Sequence, residues 1–453
     1  MRTTVRRIVL MLAVALTGLA MAQTEIRVIS FSQGFAFPDL FGTSGTEKTD
    51  ILKQFEQAND IKVAIEWGDE ASVRQKVLTD LISGGGRYDV ILLGSDGAVQ
   101  TYGYAGFLEP LESYLATGDY DQYIDMNDVF PSIKEANTVD GHLYGLSYYA
   151  FGPGIIYRTD LFQKYGVEVP TTIPELETAL QQLKDGLAKD GITDVYPLTM
   201  RGAPGEEPTL DLAGFVYAMV GYPAWFEGGA VTPDQIRESK AKPIFTGDFK
   251  PGFAEFVKLA REYGPPGIAT HTWVDMMNIY SQGKAAVLLP SAINGYAALT
   301  STENTTVLDN SDFAPIVVGP TGKPVESFWS FSFGINKASK HKADAMKVLA
   351  FLTGERSLQE FANRTQWPSV PFESVMKSQV LVDKWGAEEV ALNAEAMANA
   401  NPKYFPYIPE LSDFMDRIGT AASKAISTGD VDGALNDLQA WALQRMQLAG
   451  YYK

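Results

Sequence analysis

From residue 25 onward the chain alternates between two hydrophobic patterns. Residues 25–30 (EIRVIS) and 61–67 (IKVAIEW) carry apolar side chains at close to every second position, as a strand with one buried face does. Residues 88–93 (YDVILL) are almost continuously apolar, which fits a strand covered on both faces. Between these runs, residues 46–58 set Ile51, Leu52 and Phe55 on one helical face, and residues 70–82 are helical again. Strands separated by helices predict a parallel sheet with right-handed crossovers, in which ligands bind beyond the carboxyl ends of the strands. Phe31, the segment 67–69, Ser95 and Asp96 fall at those ends.

The pattern changes at residues 141–162 (GHLYGLSYYAFGPGIIYRTDLF). An aromatic, β-rich run reaches Phe151, Gly152-Pro153-Gly154 interrupts it, and a second strand ends at Arg158. That sequence suits backbone leaving one globular unit and entering another. Downstream, Thr172 and Glu175 have capping-box spacing, with Pro174 in the first turn of a helix reaching about residue 187. A strand over 195–199 opens on Arg201-Gly202-Ala203-Pro204-Gly205, so Arg201 stands at a strand end beside glycines that admit a ligand. Helices are expected over 210–220 and 253–261, and strands over 285–289 and 315–318. The 453 residues exceed what one core organises, so two α/β lobes are expected, with a small molecule bound in the cleft between them.

Residues 1–22 hold Arg2, Arg6 and Arg7, an apolar run from Ile8 to Leu19, and Ala20-Met21-Ala22, the layout of a cleaved secretory signal. Gln23 follows, so no lipid-bearing cysteine is expected there; the mature protein is read as secreted or periplasmic with no direct lipid anchor. Removing the three arginines takes the formal charge from −18 to −21, which argues against nucleic acid and anionic lipid as partners. Cysteine is absent, so the core alone holds the fold, and thiolate or zinc–cysteine chemistry is excluded. His142, His271 and His341 are far apart in sequence and read as isolated.

Catalytic signatures are missing. Gly84-Gly85-Gly86 lacks the ending of a phosphate loop and reads as a helix-to-strand turn, while Asp119, Asp121, Asp125 and Asp128 lack the spacing of a calcium loop. Neither Gly-x-Ser-x-Gly nor His-Glu-x-x-His occurs. Carboxylates are plentiful enough for a two-acid glycosidase, but no pair is singled out. The chain has seven Trp and 21 Tyr; most must be core, and Trp67, Tyr148, Tyr149, Trp273, Trp329 and Trp367 stand out by following strands or lying in Gly/Pro-rich loops. Aromatic faces beside Asp, Glu or Arg suit the C–H faces and hydroxyls of a carbohydrate or polyol.

Several blocks, taken in order, resemble the extracellular sugar-binding proteins of bacterial ABC importers, the family built like the maltodextrin-binding proteins. They are Tyr88-Asp89-Val90, Gly106-Phe107-Leu108-Glu109-Pro110-Leu111, Tyr157-Arg158-Thr159-Asp160-Leu161-Phe162, Gly283-Lys284-Ala285-Ala286 and the run from Phe333 to Ser339. Within that family the chain is similar to sorbitol/mannitol-type polyol binders in Val73-Arg74-Gln75-Lys76-Val77, Arg201-Gly202-x-Pro204-Gly205 and Tyr263-Gly264-Pro265-Pro266-Gly267. It departs from them at Asp96-Gly97 and at Phe331, which implies a pocket floor shaped for a different sugar.

The resemblance implies a two-lobed α/β periplasmic-binding-protein fold of the hinge-closing type II. Its first lobe takes residues 23–148 and 334–378, and its second 149–333 and 379–453. It also implies a monomeric binder, not an enzyme, with no cofactor and no metal, that traps a sugar or polyol and passes it to an ABC permease. Asp69, Glu70, Arg201 and Trp329 carry over as ligand contacts, and Asp96 joins them by position. A secreted glycosidase or lyase, a ferric-ion binder using Tyr148 and Tyr149, and an amine binder remain as alternatives.

Overall fold

A computed structural model describes residues 23–32, 40–42, 48–94, 97–291 and 307–452, with the side chains of residues 70, 71, 291 and 308 outside that description. Strands β1 (Thr24–Phe31), β2 (Ile61–Gly68) and β3 (Val90–Leu93) pair in parallel, joined by helices α1 (Asp50–Asn59) and α2 (Glu70–Ser83). Helix α1 turns Leu52 and Phe55 inward, as its periodicity predicts. All four residues of β3 are buried, the expected fate of its unbroken apolar run. Gly84 ends α2 in the left-handed region at φ 62°, so the triple glycine is a turn.

After α3 (Ala98–Tyr104), α4 (Pro131–Ala136) and the short strands β4 (Thr138–Val139) and β5 (His142–Leu143), the chain enters β6 (Leu146–Phe151). Gly152 and Pro153 then carry it directly into β7 (Gly154–Arg158), which belongs to a second sheet. Helix α5 (Ile173–Lys189) opens with both halves of the Thr172/Glu175 capping box formed. Strand β8 (Tyr196–Thr199), helices α6 (Glu207–Val220), α7 (Lys250–Tyr263) and α8 (Trp273–Ser281), and strands β9 (Ala285–Ser291) and β10 (Ser311–Pro315) complete that lobe. Its sheet runs β10-β7-β9-β8. The strand expected over 315–318 lies earlier, at 311–315. Beyond Pro315 the backbone leaves the sheet, and Val318 forms only isolated bridges with Thr172 and Pro324.

Residues 316–328 return to the first sheet through β11 (Trp329–Ile335). The first sheet runs β2-β1-β3-β11-β6, with β11 antiparallel to both β3 and β6, so it is parallel only over β1 to β3. Helix α9 (Lys342–Thr353) covers β1, β3, β6 and β11. Helix α10 (Ala387–Asn399) touches α4 and β6 of the first lobe and β10 of the second. Helices α11 (Leu411–Thr428) and α12 (Val431–Leu448) join α6 and α7 on the second lobe. Among the described residues no helix is long and apolar enough to cross a membrane.

Two buried carboxylates fasten the returning strand. Asp80 accepts from the Arg87 and Tyr88 amides at 2.9 and 3.2 Å and from Asn336 Nδ2 at 3.0 Å. Asp89 accepts from the Arg27 amide at 2.9 Å and the Ser339 hydroxyl at 2.6 Å. On the other lobe, α6 lies so close to the returning segment that a Cβ on Gly214 would overlap the Glu326 carbonyl. Gly214→Ala is therefore expected to lower stability by roughly 1–3 kcal/mol, the cost of overpacking a closed core, in chemical denaturation monitored by circular dichroism.

Candidate ligand-binding site

Where the lobes meet, one cation and one anion are withdrawn from water together. The side chains of Arg201 and Asp211 are 5% and 0% exposed. Arg201 stands just past β8, and Asp211 is on α6, as the one charged residue among its buried positions. Arg201 Nε donates to Asp211 Oδ2 at 2.6 Å, and Nη2 donates to Oδ1. The Ser327 hydroxyl donates to the same Oδ1 at 2.6 Å. Burial pushes the Asp211 carboxyl up, while Arg201 and Ser327 pull it back. Three donor groups point at its two oxygens, an arrangement that suits a carboxylate. The pair is thus a bidentate ion pair.

Trp329 completes the cluster. Its indole N–H donates to Ser327 Oγ at 3.0 Å, and the Arg201 guanidinium carbon stands 4.7 Å from its ring centroid. The ring lies nearly parallel to Phe151 and to Phe331, with centroids 6.0 and 6.3 Å away. Phe331 in turn contacts Phe31 and Tyr149, and Tyr149 contacts Trp367. An aromatic ladder therefore follows the two strands that pass between the lobes. Tyr404 is fully buried, with Asp211, Glu326 and Arg201 acting on its hydroxyl.

The three blocks that set polyol binders apart in the sequence converge here. Arg74 of the first forms an ion pair with Glu206, beside the 201–205 loop of the second. That loop packs on the segment just after the third, with the Gly202 and Ala203 amides donating to the His271 carbonyl at 2.9 and 3.0 Å and Gly202 against the Ile268 carbonyl. Arg74 belongs to α2 on the first lobe and Glu206 precedes α6 on the second, so the ion pair spans the lobes. Gly97, before α3, meets Leu411 of α11 at a second contact between them. Nearby, Gly94, Gly97, Gln100, Asn137 and Ser330 of the first lobe line, with Phe405 and Tyr407, a space of about 20 Å³.

The remaining candidates are spread more widely. Trp67 stands at the end of edge strand β2 and donates to the Gly42 carbonyl at 2.8 Å. Asp69 is exposed and caps α2, accepting from the Ser72 amide at 2.9 Å. Glu70 is the first residue of that helix, its side chain outside the described residues, as is Asp96 altogether. Tyr148 and Tyr149 are core residues of β6, 4% and 0% exposed, at an irregularity in its pairing with β11, with ring centroids 6.4 Å apart and Phe333 and Phe331 as their further ring neighbours. Trp273 begins α8 inside a second capping box, and its amide donates to Glu207 Oε2 at 3.0 Å, at the margin of the site. Trp367 is half-buried against Tyr149. The described residues contain no group of three or more His, Asp or Glu placed to hold a metal ion.

Residues 42–358 match the family model of the bacterial extracellular solute-binding proteins. The chain belongs to that family. Over 425 residues, 89% of this solute-binding protein and 91% of its relative, it is 25% identical to the mannitol-binding protein of Pseudomonas aeruginosa. Its fold is similar to that of an ABC-transporter solute-binding protein of Agrobacterium vitis with bound D-mannitol. The TM-score is 0.76 at 25% identity, over 95% of this chain and all of the other. A ribitol complex from Agrobacterium radiobacter matches with a TM-score of 0.76 at 21% identity, covering 93% and 98%, a likeness of fold.

Asp211, Ser327, Glu206 and Tyr404 did not emerge from the sequence. Asp211 had a signal, as a lone acid inside an otherwise apolar helical stretch (LDLAGFVYAMV); the others lie in runs with no periodic anomaly. Beside Ser327, Glu326 is 2% exposed, with its Oε2 unpartnered. Burial pushes its carboxyl up to about 8, opposed only by the Asn401 amide.

Arg201→Ala leaves Asp211 buried without its cation and is expected to cost about 3–5 kcal/mol of stability in urea unfolding. The Arg201→Ala/Asp211→Ala double variant should lose clearly less than the sum of the single losses. For Glu326 the folded state holds a proton that the unfolded chain releases above its ordinary 4.5, so its contribution to stability falls as pH rises from 4.5 to about 8. Glu326→Gln should match the parent at pH 4 and exceed it at pH 8, the gap growing by at most about 1.4 kcal/mol per pH unit, read from melting temperatures across that range.

Proposed function

We propose that this protein captures a linear polyol of the mannitol type between its lobes and delivers it unchanged to an ABC permease in the membrane. The reading is carried by a likeness that runs through nearly the whole chain, at 25% identity, to a mannitol-binding protein and to a D-mannitol complex of the same fold. The site has suitable chemistry: a guanidinium already locked in orientation, an indole beneath it and a buried carboxylate behind it. A polyol presents vicinal hydroxyls to a fixed donor fork and C–H groups to a ring. Arg201 serves from the second lobe and Trp329 from the first residue of β11, with Asp69, Glu70 and Asp96 as candidates from the first lobe.

In this reading the lobes are residues 23–148 with 334–378, and 149–333 with 379–453. Three hinge crossings then permit bending while restraining twist. Ligand entry requires the Arg74–Glu206 and Gly97–Leu411 contacts to part, and a ligand touching both lobes favours the closed arrangement by its difference in affinity for the two states. Residues 1–22 act as an export signal, the mature protein works as a monomer outside the cytoplasm, and no chemical step occurs on the ligand.

A ligand bound only by the native state raises the melting temperature, by the equivalent of about 2.7 kcal/mol at a hundredfold excess over Kd. D-mannitol, sorbitol and ribitol are therefore expected to shift the melting temperature of the mature protein more than maltose or glucose does, and each should be recovered intact by chromatography after prolonged incubation. Equal indifference to all polyols would overturn the ligand class; consumption of the ligand would overturn the binder.

A further inference from the structure

A second cavity, of about 210 Å³, lies at the junction of the lobes, with Pro153 of the crossover, Phe313 of β10 and Leu392 and Ala396 of α10 among its walls. An apolar cavity of about 150 Å³ accommodates benzene, so this one has room for a cyclic molecule bearing one polar group. Two acidic side chains line it, Glu326 and, on the exposed face of α10, Glu395; none of the described lining residues is basic. Glu326 is 2% exposed, and its Oε2 has no partner. Leaving such an atom unsatisfied costs on the order of 1–3 kcal/mol, which a ligand placing a donor there recovers.

We propose that this cavity is a binding site for a small amine with an apolar body, held by Glu326 and distinct from the site of the transported solute. Its apolar walls take the hydrocarbon, and the ionisable groups among its described lining residues are both acidic. The ammonium arrives charged, Glu326 gives up its carboxylic proton to solvent, and the ion pair R–NH3⁺···⁻OOC replaces the neutral acid. Each amine bound at neutral pH thus releases roughly one proton. Glu326 precedes Ser327, whose hydroxyl holds Asp211, so the amine site and the Arg201 cluster share one segment of backbone.

The test is calorimetry on the full mature protein at pH 7 with cyclohexylamine and its neutral isostere cyclohexanol, each in phosphate and in Tris. Cyclohexylamine should bind at least about tenfold more tightly than cyclohexanol, with a buffer-dependent enthalpy reporting proton release. Glu326→Gln should weaken the amine at least tenfold while keeping the circular dichroism spectrum. Leu392→Trp, which fills the cavity and leaves Glu326 in place, should do the same. Absence of amine binding, equal binding of the alcohol, a buffer-independent enthalpy, or an undiminished affinity in Glu326→Gln each overturns the proposal.

Discussion

The buried pairing of Arg201 with Asp211 is the constraint from which much of the lobe junction follows. Moving two charges out of water costs several kcal/mol per ion even after relaxation, and their attraction offsets that only with near-ideal geometry and further hydrogen bonds. The structure supplies both, through the bidentate contact and the Ser327 hydroxyl on the carboxylate, with Trp329 against the guanidinium. Each of those partners comes from a different element, so α6, the end of β8 and the segment returning to β11 must meet at one point. The missing side chain at Gly214 lets α6 come that close to the returning segment.

The same requirement explains why the crossing strands are aromatic. Phe151 ends β6 and Trp329 begins β11, paired with each other at the edge of the first sheet, and both lie within a few residues of the second lobe. Rings at this position present flat, stiff surfaces that pack against one another, with the Trp329 indole N–H held by Ser327. The two-residue step from β6 to β7 is tight for a related reason. A Cβ on Gly152 would press on the backbone of Ala396, so the crossover is clamped under α10. A hinge built this way localises movement to a few backbone torsions.

Much of the fold was legible in the sequence because it was written in local terms. Alternation and capping marked β1, β2 and α5, and the Gly-Pro-Gly break marked the crossover. The antiparallel return of β11 was not legible, since pairing between residues some 180 positions apart leaves no trace in periodicity. The site was half legible. Arg201 stood out as a strand-end cation and Trp329 through the family resemblance, whereas Asp211, Ser327 and Tyr404 gain their places only from tertiary approach. Tyr148 and Tyr149 illustrate the opposite hazard, since a tyrosine pair that reads as ligand-facing is here packed into the core against Phe331 and Phe333. Several blocks that read as family marks are structural: Asp89 binds Ser339, and Asn336 binds Asp80.

Asp211 and Glu326 show how two acids buried to the same degree end in different states. Both are withdrawn from water, and burial alone pushes each carboxyl upward. Asp211 meets a guanidinium and a hydroxyl, three donors in all, and its charge is stabilised by them. Glu326 is opposed by one backbone amide and keeps an oxygen idle, so its neutral form is favoured through pH 7. The Ser327 side chain is turned to the ion pair while that of Glu326 lines the second cavity, so one short stretch of backbone separates a compensated charge from an uncompensated acid.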